Sequence, residues 1–518
     1  MERLRSWLAR DSYQYSALPD VSGQDENEKS NGLRPRTGRN RSIVKVLVAG
    51  LVFAIALYFT TAYMRSGSKG SCDSAKDGFT CQPDVSQSWG QYSPYYSVHS
   101  VLPRAVPAGC DLTFAQILSR HGARDPTLGH TVAYAALVER IHSTVADYGR
   151  HFRFLKTYNY TLGADQLSDF GRQQLVNSGL KFYKRYAALT GRGAPPPFVR
   201  SAGQYRVVES ADYWTRGYHQ ARVEDDGVAD PSFPYEILEI PEGAAWNNTL
   251  SHDACTLANS GPNAAVGAQA QAAFMSVFVP PIAARLNKNL PGAELTDKET
   301  IYMMDLCPFE TVADPNGRLS RFCTLFSKDE WHSYDYYQSL GKWYGWSNGN
   351  PLGPTQGVGY VNELIARLTN QPVVDHTDTN STLDGSPGTF PLGRALYADF
   401  SHDNDMSSIF AALGLYNATE PLSNTTKTPP KQTNGYSASW VVPFASRMYV
   451  EKMTCGGEDE ELVRILVNDR VIPLQNCDAD DLGRCKLSKF VDSLSFARAG
   501  GHWHQCFESS TVPRAFAA

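Results

Sequence analysis

The stretch LTFAQILSRHGARDP, residues 112–126, decides how the chain folds. It starts as an apolar run of strand length and ends in Ser119-Arg120-His121-Gly122-Ala123-Arg124, the pattern of a buried strand that feeds a loop. Such a loop gathers two guanidiniums around one imidazole. Arginine stays charged and presents a planar fork of donors suited to phosphate or carboxylate oxygens, while Gly122 allows the backbone a close approach to a ligand. The expected chemistry is an anion cradle with a nucleophile inside it.

Outward from this stretch, the pattern of strand, polar loop and helix recurs twice. PFVRSAG at 197–203 leads into a helical pattern over 204–220, and ALYADFSHD at 395–403 leads into another over 404–416. In an open α/β sheet, ligands sit beyond the carboxyl ends of the strands, where helix N-termini also favour anions. Arg120, His121 and Arg124 from the first end, Arg200 from the second, and His402 and Asp403 from the third are expected to converge on one phosphate. Asp405 is the rival acid.

The rest of the chain supplies the frame. With 518 residues, 42% of them apolar, it has material for one large core or two, and a globular enzyme is the expectation. A net charge of -5 and a pI near 6.2 argue against nucleic acid as the partner. Apolar spacing predicts helices over 132–146, 168–189, 264–286 with a break at Pro280-Pro281, and 330–344. Strands at 462–467 and 470–474 around Asn468-Asp469 read as a hairpin. Strands near both ends with helices between them predict a mixed α/β sheet interrupted by an inserted, mainly helical domain. The expected division assigns 92–126, 190–225 and 345–518 to the sheet domain, and 127–189 and 226–344 to the insert.

The N-terminus reads differently. Residues 1–42 are polar and read as a disordered cytosolic tail, with Arg34, Arg36, Arg39 and Arg41 near its end. Residues 43–64 read as a membrane-spanning signal anchor, because positions 46–64 are uncharged and mostly apolar, longer than the core of a cleaved signal. The basic residues before it place the N-terminus in the cytosol and everything after it in the lumen or outside the cell; secretion after cleavage is the alternative. Residues 65–91 read as a stalk. All ten cysteines lie beyond the span, an even number in an oxidising compartment, which reads as a disulfide framework whose connectivity the residues alone leave open. Glycosylation sequons stand on the same side, at Asn159, Asn247, Asn380, Asn417 and Asn424.

RHGAR and, far downstream, His402-Asp403, with TFAQILSRHGARDPT, GNPLGPTQGVGYVNELIARL, LYADFSHDN and VNDRVIPL around them, together resemble the histidine acid phosphatases and their fungal phytase branch, over residues 72 to 506. The resemblance implies a phosphoglycerate-mutase-like sheet flanked by helices. It also implies disulfides Cys72–Cys81, Cys110–Cys455, Cys255–Cys506, Cys307–Cys323 and Cys477–Cys485. The activity implied is metal-independent, cofactor-free hydrolysis of phosphomonoesters through a phosphohistidine on His121. Arg120, Arg124, Arg200 and His402 would bind the phosphate, and Asp403 would protonate the leaving alkoxide. Neighbouring guanidiniums should depress the pKa of His121 and keep it nucleophilic in acid.

Departures from the family bear on the substrate. Asp125 stands where an aromatic residue is usual and could pair with Arg124; His130 and Ala133 replace lysines; a lysine pair is reduced to Gly341-Lys342. Asp305 matches a pocket position. Asp305, Lys342 and His130 are therefore the expected pocket residues, for phytate or for phosphomonoesters at large. A broad-specificity acid phosphatase with weak phytate activity is the alternative enzyme, and a catalytically inactive membrane-tethered binder of phosphate esters the alternative of another class.

Overall fold

The computed structural model describes residue 79 and residues 81–190, 194–227 and 230–507. The expected tail, the span, the first part of the stalk and Cys72 lie outside them. Among the described residues, eight strands form one mixed sheet. They are β1 (Cys110–Arg120), β2 (Phe198–Ala202), β3 (Ile237–Ile240), β4 (Leu396–Ser401), β5 (Arg447–Cys455), β6 (Leu462–Val467), β7 (Arg470–Val471) and β8 (Cys485–Lys486). The order is β3-β2-β4-β1-β5-β6-β7, with β8 also on β6. The first four strands of that row run parallel, and β5 to β8 add antiparallel pairs. β1 lies in the middle, Arg120 level with Ser401 of β4 and Ser119 level with Arg447 of β5. β4 is buried throughout, as expected of a strand covered on both faces. The hairpin between β6 and β7 turns on Asn468 and Asp469, both at positive φ, where Asn and Asp cost least.

Helices cover the sheet and extend beyond it: α1 (Leu128–Thr144), α2 (Asp169–Arg185), α3 (Tyr205–Asp226), α4 (Gly261–Asn289), α5 (Asp297–Ala313), α6 (Lys328–Trp346), α7 (Val358–Thr369) and α8 (Asp403–Ala412). Two hydrophobic cores result. One joins the sheet to α2, α3, α7 and α8 through residues such as Ile117, Phe182, Trp214, Val361 and Phe400. The other joins α1, α5 and parts of α4 and α6 through Tyr134, Leu137, Met303, Met304 and Trp331. Capping boxes start α5 (Thr296 with Glu299) and α6 (Ser327 with Glu330).

Four details differ from expectation. α2, expected in the helical insert, packs Leu175, Phe182 and Tyr183 into the sheet's core. β3, also expected there, pairs in parallel with β2. Residues 81–91, expected as stalk, include the fully buried Trp89, whose ring meets Trp331 edge-on at 6.4 Å. α4 runs unbroken through Pro280 and Pro281. Its inner face, Phe274, Val279, Ile282 and Leu286, is buried on both sides of the prolines, while Ser276 and Val277, whose carbonyls lose their amide partners, are exposed to water.

Four of the expected disulfides are present: Cys110–Cys455, Cys255–Cys506, Cys307–Cys323 and Cys477–Cys485. Cys81 is also disulfide-bonded.

Candidate active site

The candidate site is built where the parallel strands end. Arg120 is the last residue of β1, and His121, Gly122, Ala123 and Arg124 form the loop beyond it. The N-terminus of α2 approaches Gly122 closely: a Cβ there would sit 2.4 Å from the Gly171 carbonyl oxygen. The glycine thus locks the loop against the helix.

His121 is 1% exposed, and its Nδ1 lies 2.8 Å from the carbonyl oxygen of Gly122. A carbonyl only accepts, so Nδ1 carries the proton and Nε2 keeps a lone pair. Burial, and then the charges of Arg120, Arg206 and Arg124, hold the pKa of His121 well below its ordinary value. The ring stays neutral in acid.

Arg120 is fully buried and anchored through Nη1, which donates to the carbonyls of Gln91 and of Val442, the latter at 2.8 Å. Its guanidinium lies 4.6 Å from the ring centre of Phe444, and burial lowers its pKa to about 10. Nη2 reaches within 3.3 Å of Asp403 Oδ2. Arg124 donates from Nη1 to the carbonyl of Asp125 at 2.8 Å, not to its carboxylate. The Asp125 carboxyl accepts from the Gly163 amide, and burial shifts its pKa upward against the pull of that amide and of the Arg124 charge.

Beyond Ser401, the end of β4 delivers the acid. His402 is the N-cap of α8 and Asp403 its first residue. His402 Nε2 lies 3.0 Å from Glu242 Oε1, and the His121 and His402 rings stand 5.6 Å apart. Asp403 pairs with Lys342 Nζ at 2.6 Å as well as with Arg120. Burial would raise its pKa, but Arg120 and Lys342 prevail and hold it well below the usual carboxylate range. Asp403 is held in its ionised form. Asp405 is turned away from this cluster and pairs with His252 at 2.8 Å.

Arg200 does not join them. It lies inside β2, level with Asp399 of β4, fully buried and paired with Asp399 at 2.9 Å and Glu363 at 2.7 Å. Arg367 completes that network from α7 at 2.7 Å from Asp399. The second strand end instead delivers Arg206, on the first turn of α3, whose charge acts on His121 and whose own pKa is lowered by burial and by Arg124. Arg206 and Glu242 are the two site residues that sequence reasoning missed. The signal for both was position: each stands a few residues beyond its strand, as His121 does beyond β1 and Asp403 beyond β4. Arg120 Nε, Arg124 Nε and Arg206 Nε are buried donors without a hydrogen-bond partner, and Arg120 Nη2 has only its ion-pair contact with Asp403. Buried donors are normally satisfied, so a cluster of three unsatisfied guanidinium nitrogens marks a place for an anion.

Beside Asp403 lies a cavity of about 330 Å³ whose lining includes Lys342, Asn404, His130, Tyr302 and Asp305. Asp305 is buried and accepts hydrogen bonds from the hydroxyls of Tyr134 (2.8 Å) and Tyr334; burial shifts its pKa upward. His130 stacks on Tyr134 with ring centres 5.6 Å apart. All three expected pocket residues therefore border one space.

A family model, the histidine phosphatase superfamily (branch 2), matches residues 111–468, and the chain belongs to that superfamily. It is 52% identical over 446 residues to phytase A of Aspergillus fumigatus, covering 85% of this chain and 95% of that protein. It is 50% identical over 447 residues to phytase A of Penicillium oxalicum, again covering 85% and 95%. Among solved structures, the phytase of D. castellii matches with a TM-score of 0.66 at 23% identity, over 82% of this chain and 87% of that one, a likeness of fold.

Proposed function

We propose that the protein is a metal-independent acid phosphomonoester hydrolase of the phytase type, working through a phosphohistidine. The observation that carries this reading is the set of unpartnered buried guanidinium nitrogens around a neutral His121 whose free nitrogen is Nε2. The superfamily and the two phytase A relatives support it.

Arg120, Arg124 and Arg206 hold the phosphoryl oxygens, each charge-assisted bond contributing about 1.5–3 kcal/mol, with His402 held alongside by Glu242. His121 Nε2 forms the bond to phosphorus as the ester P–O bond breaks, and Asp403 delivers its proton to the departing oxygen. Water then attacks the phosphohistidine, Asp403 takes a proton from it, and phosphate leaves. Asp403 must be protonated for the first step, although Arg120 and Lys342 favour its ionised form. A bound phosphate competes for those cations and raises the carboxyl's pKa. Activity is accordingly expected in acid, and lost as pH rises past the pKa of Asp403 in the complex.

The test is hydrolysis of p-nitrophenyl phosphate and of myo-inositol hexakisphosphate at pH about 5, with and without a chelator. Activity on both, indifferent to the chelator, is the expected result. A chelator-sensitive rate, or binding without turnover, overturns the assignment. A broad-specificity phosphatase is the second reading, favoured by the sparse cations of the cavity, and a much higher kcat/KM on the simple ester would select it.

The same proposal places the enzyme in the secretory route, tethered by its N-terminal span or released by cleavage, and glycosylated. Four disulfides support the route, and Asn159, Asn247, Asn417 and Asn424 are exposed. Activity that stays with membranes through alkaline extraction identifies the tethered form, and a glycosidase mobility shift reports the glycans.

A further inference from the structure

α5 presents one side to the cavity beside Asp403: Lys298, Ile301, Tyr302 and Asp305, the last three spaced three, four and seven residues from the first, the spacing of one helix face. With a rise of about 1.5 Å per residue, Lys298 stands roughly 10 Å from Asp305 along the axis. Its ammonium lies 5.8 Å from the ring centre of Tyr302, and no carboxylate among the described residues pairs with it. The acidic neighbour that might have claimed it, Glu299, is engaged by Arg140 and by the Thr296 cap.

The other charges on the cavity wall are spent. Lys342 is held by Asp403 and Asn404, both at 2.6 Å. Asp305 is covered by two tyrosine hydroxyls. Amides supply much of the remaining wall, and two are already bound, Gln91 Nε2 to Gln338 at 2.9 Å and Gln271 Nε2 to the Tyr337 carbonyl at 3.1 Å. Among the described residues of that wall, one lysine is therefore left whose charge meets no carboxylate, and it lines the same cavity as Lys342 and Asn404, the neighbours of Asp403.

We infer that Lys298, backed by the Tyr302 ring, is a second-phosphate subsite: it binds a phosphate on the leaving alcohol of a polyphosphorylated polyol while another phosphate occupies the arginine cradle. This rests on the hydrolase reading above and adds a substrate class to it. An ester with one phosphate has nothing to offer Lys298, so the residue separates polyphosphates from monophosphates without touching the chemistry. Because Lys298 is exposed, its contribution is that of a screened surface charge and falls as salt rises.

Lys298→Gln and Lys298→Glu test it, assayed at pH about 5 and low salt on myo-inositol hexakisphosphate and on p-nitrophenyl phosphate. For the hexakisphosphate, kcat/KM should fall roughly three- to fivefold in the glutamine variant and about tenfold in the glutamate variant, through KM, and the loss should shrink in high salt. The p-nitrophenyl phosphate constants should stay within about twofold of the unsubstituted protein. Equilibrium binding of hexakisphosphate to His121→Ala, with and without Lys298→Glu, gives the same factor without turnover. Equal loss on both substrates, or binding that ignores the glutamate, overturns the subsite. Binding that responds to it in a protein that hydrolyses neither ester leaves the subsite standing and removes the hydrolase reading instead.

Discussion

Two groups of arginines, one built around β2 and α7 and one around the end of β1 and the start of α3, differ in how their charge is met. Arg200 and Arg367 are matched by Asp399 and Glu363, which pair with them at 2.7 to 2.9 Å. Arg120, Arg124 and Arg206 surround His121 with more positive charge than nearby carboxylates answer, whereas Arg367, which also keeps Nε and Nη2 without a hydrogen-bond partner, has its charge met by Asp399. A buried cation costs several kcal/mol of desolvation unless something compensates it. In the first group the compensation is internal and the arginines hold the sheet to α7. In the second Asp403 answers for Arg120 and Asp165, at 3.5 Å, for Arg206, while Arg124 has no ion pair among the described residues, and the unmet remainder is the affinity for an anion. Residue type is the same in both places and burial is close, Arg206 at 16% being the most exposed; what separates structure from function is whether the charge is answered.

The largest effect expected is on chemistry alone. His121→Ala should lower turnover by at least about a thousandfold while the thermal midpoint holds, measured on p-nitrophenyl phosphate and by calorimetry. Next, Asp403→Asn should cost about a hundredfold or more on an alkyl phosphate but under about tenfold on p-nitrophenyl phosphate, whose leaving group needs no proton. Equal losses on the two esters would remove the general-acid role.

The contrast itself is tested by exchanging targets. Arg206→Ala should reduce kcat/KM roughly ten- to a hundredfold with little change in stability. Arg200→Met should destabilise the fold by about 3–5 kcal/mol, because Asp399 and Glu363 lose a cation, and leave kcat near normal in whatever fraction stays folded. If Arg206→Ala unfolds the protein and Arg200→Met only weakens substrate binding, the two groups have been exchanged.

The smallest effect is one of pH on stability. The pKa of His121 is depressed in the folded state, so below about 6.5 the unfolded chain takes up a proton there and the folded chain does not. Stability associated with this group is complete above that pH and is lost as pH falls toward the folded value. Substituting His121→Asn removes the loss. The thermal midpoint of that variant relative to the parent should rise between pH 7.5 and pH 4.5, and a constant difference would contradict the buried neutral ring.

Much of this was legible in the chain. The apolar run before RHGAR is the central strand, LYADFS before His402-Asp403 is its neighbour, and the two ligand sets meet as three strand-to-helix patterns implied. Arg200 misled because a short buried strand gives no mark of where it stops: Gly203, not Arg200, stands just past the end of β2. Arg120 is level with Ser401, whereas Arg200 is level with Asp399, two positions deeper in the sheet. Pairing register is a property of the assembled sheet, invisible along one strand. Pro280-Pro281 misled for a related reason, since the break expected from local chemistry is overridden by apolar packing on both sides of it.

The central position of β1 carries a consequence for biosynthesis. The strand that ends in the nucleophile emerges early, yet both of its neighbours in the sheet are made late, and Gln116 must wait for Asp399, 283 residues further on. At the usual elongation rate of about 5–20 residues per second, that is a delay on the order of tens of seconds, spent with a strongly apolar segment unpartnered. The nascent chain thus cannot assemble the site until β4 and β5 have been made, and through that interval β1 waits without either of its sheet neighbours.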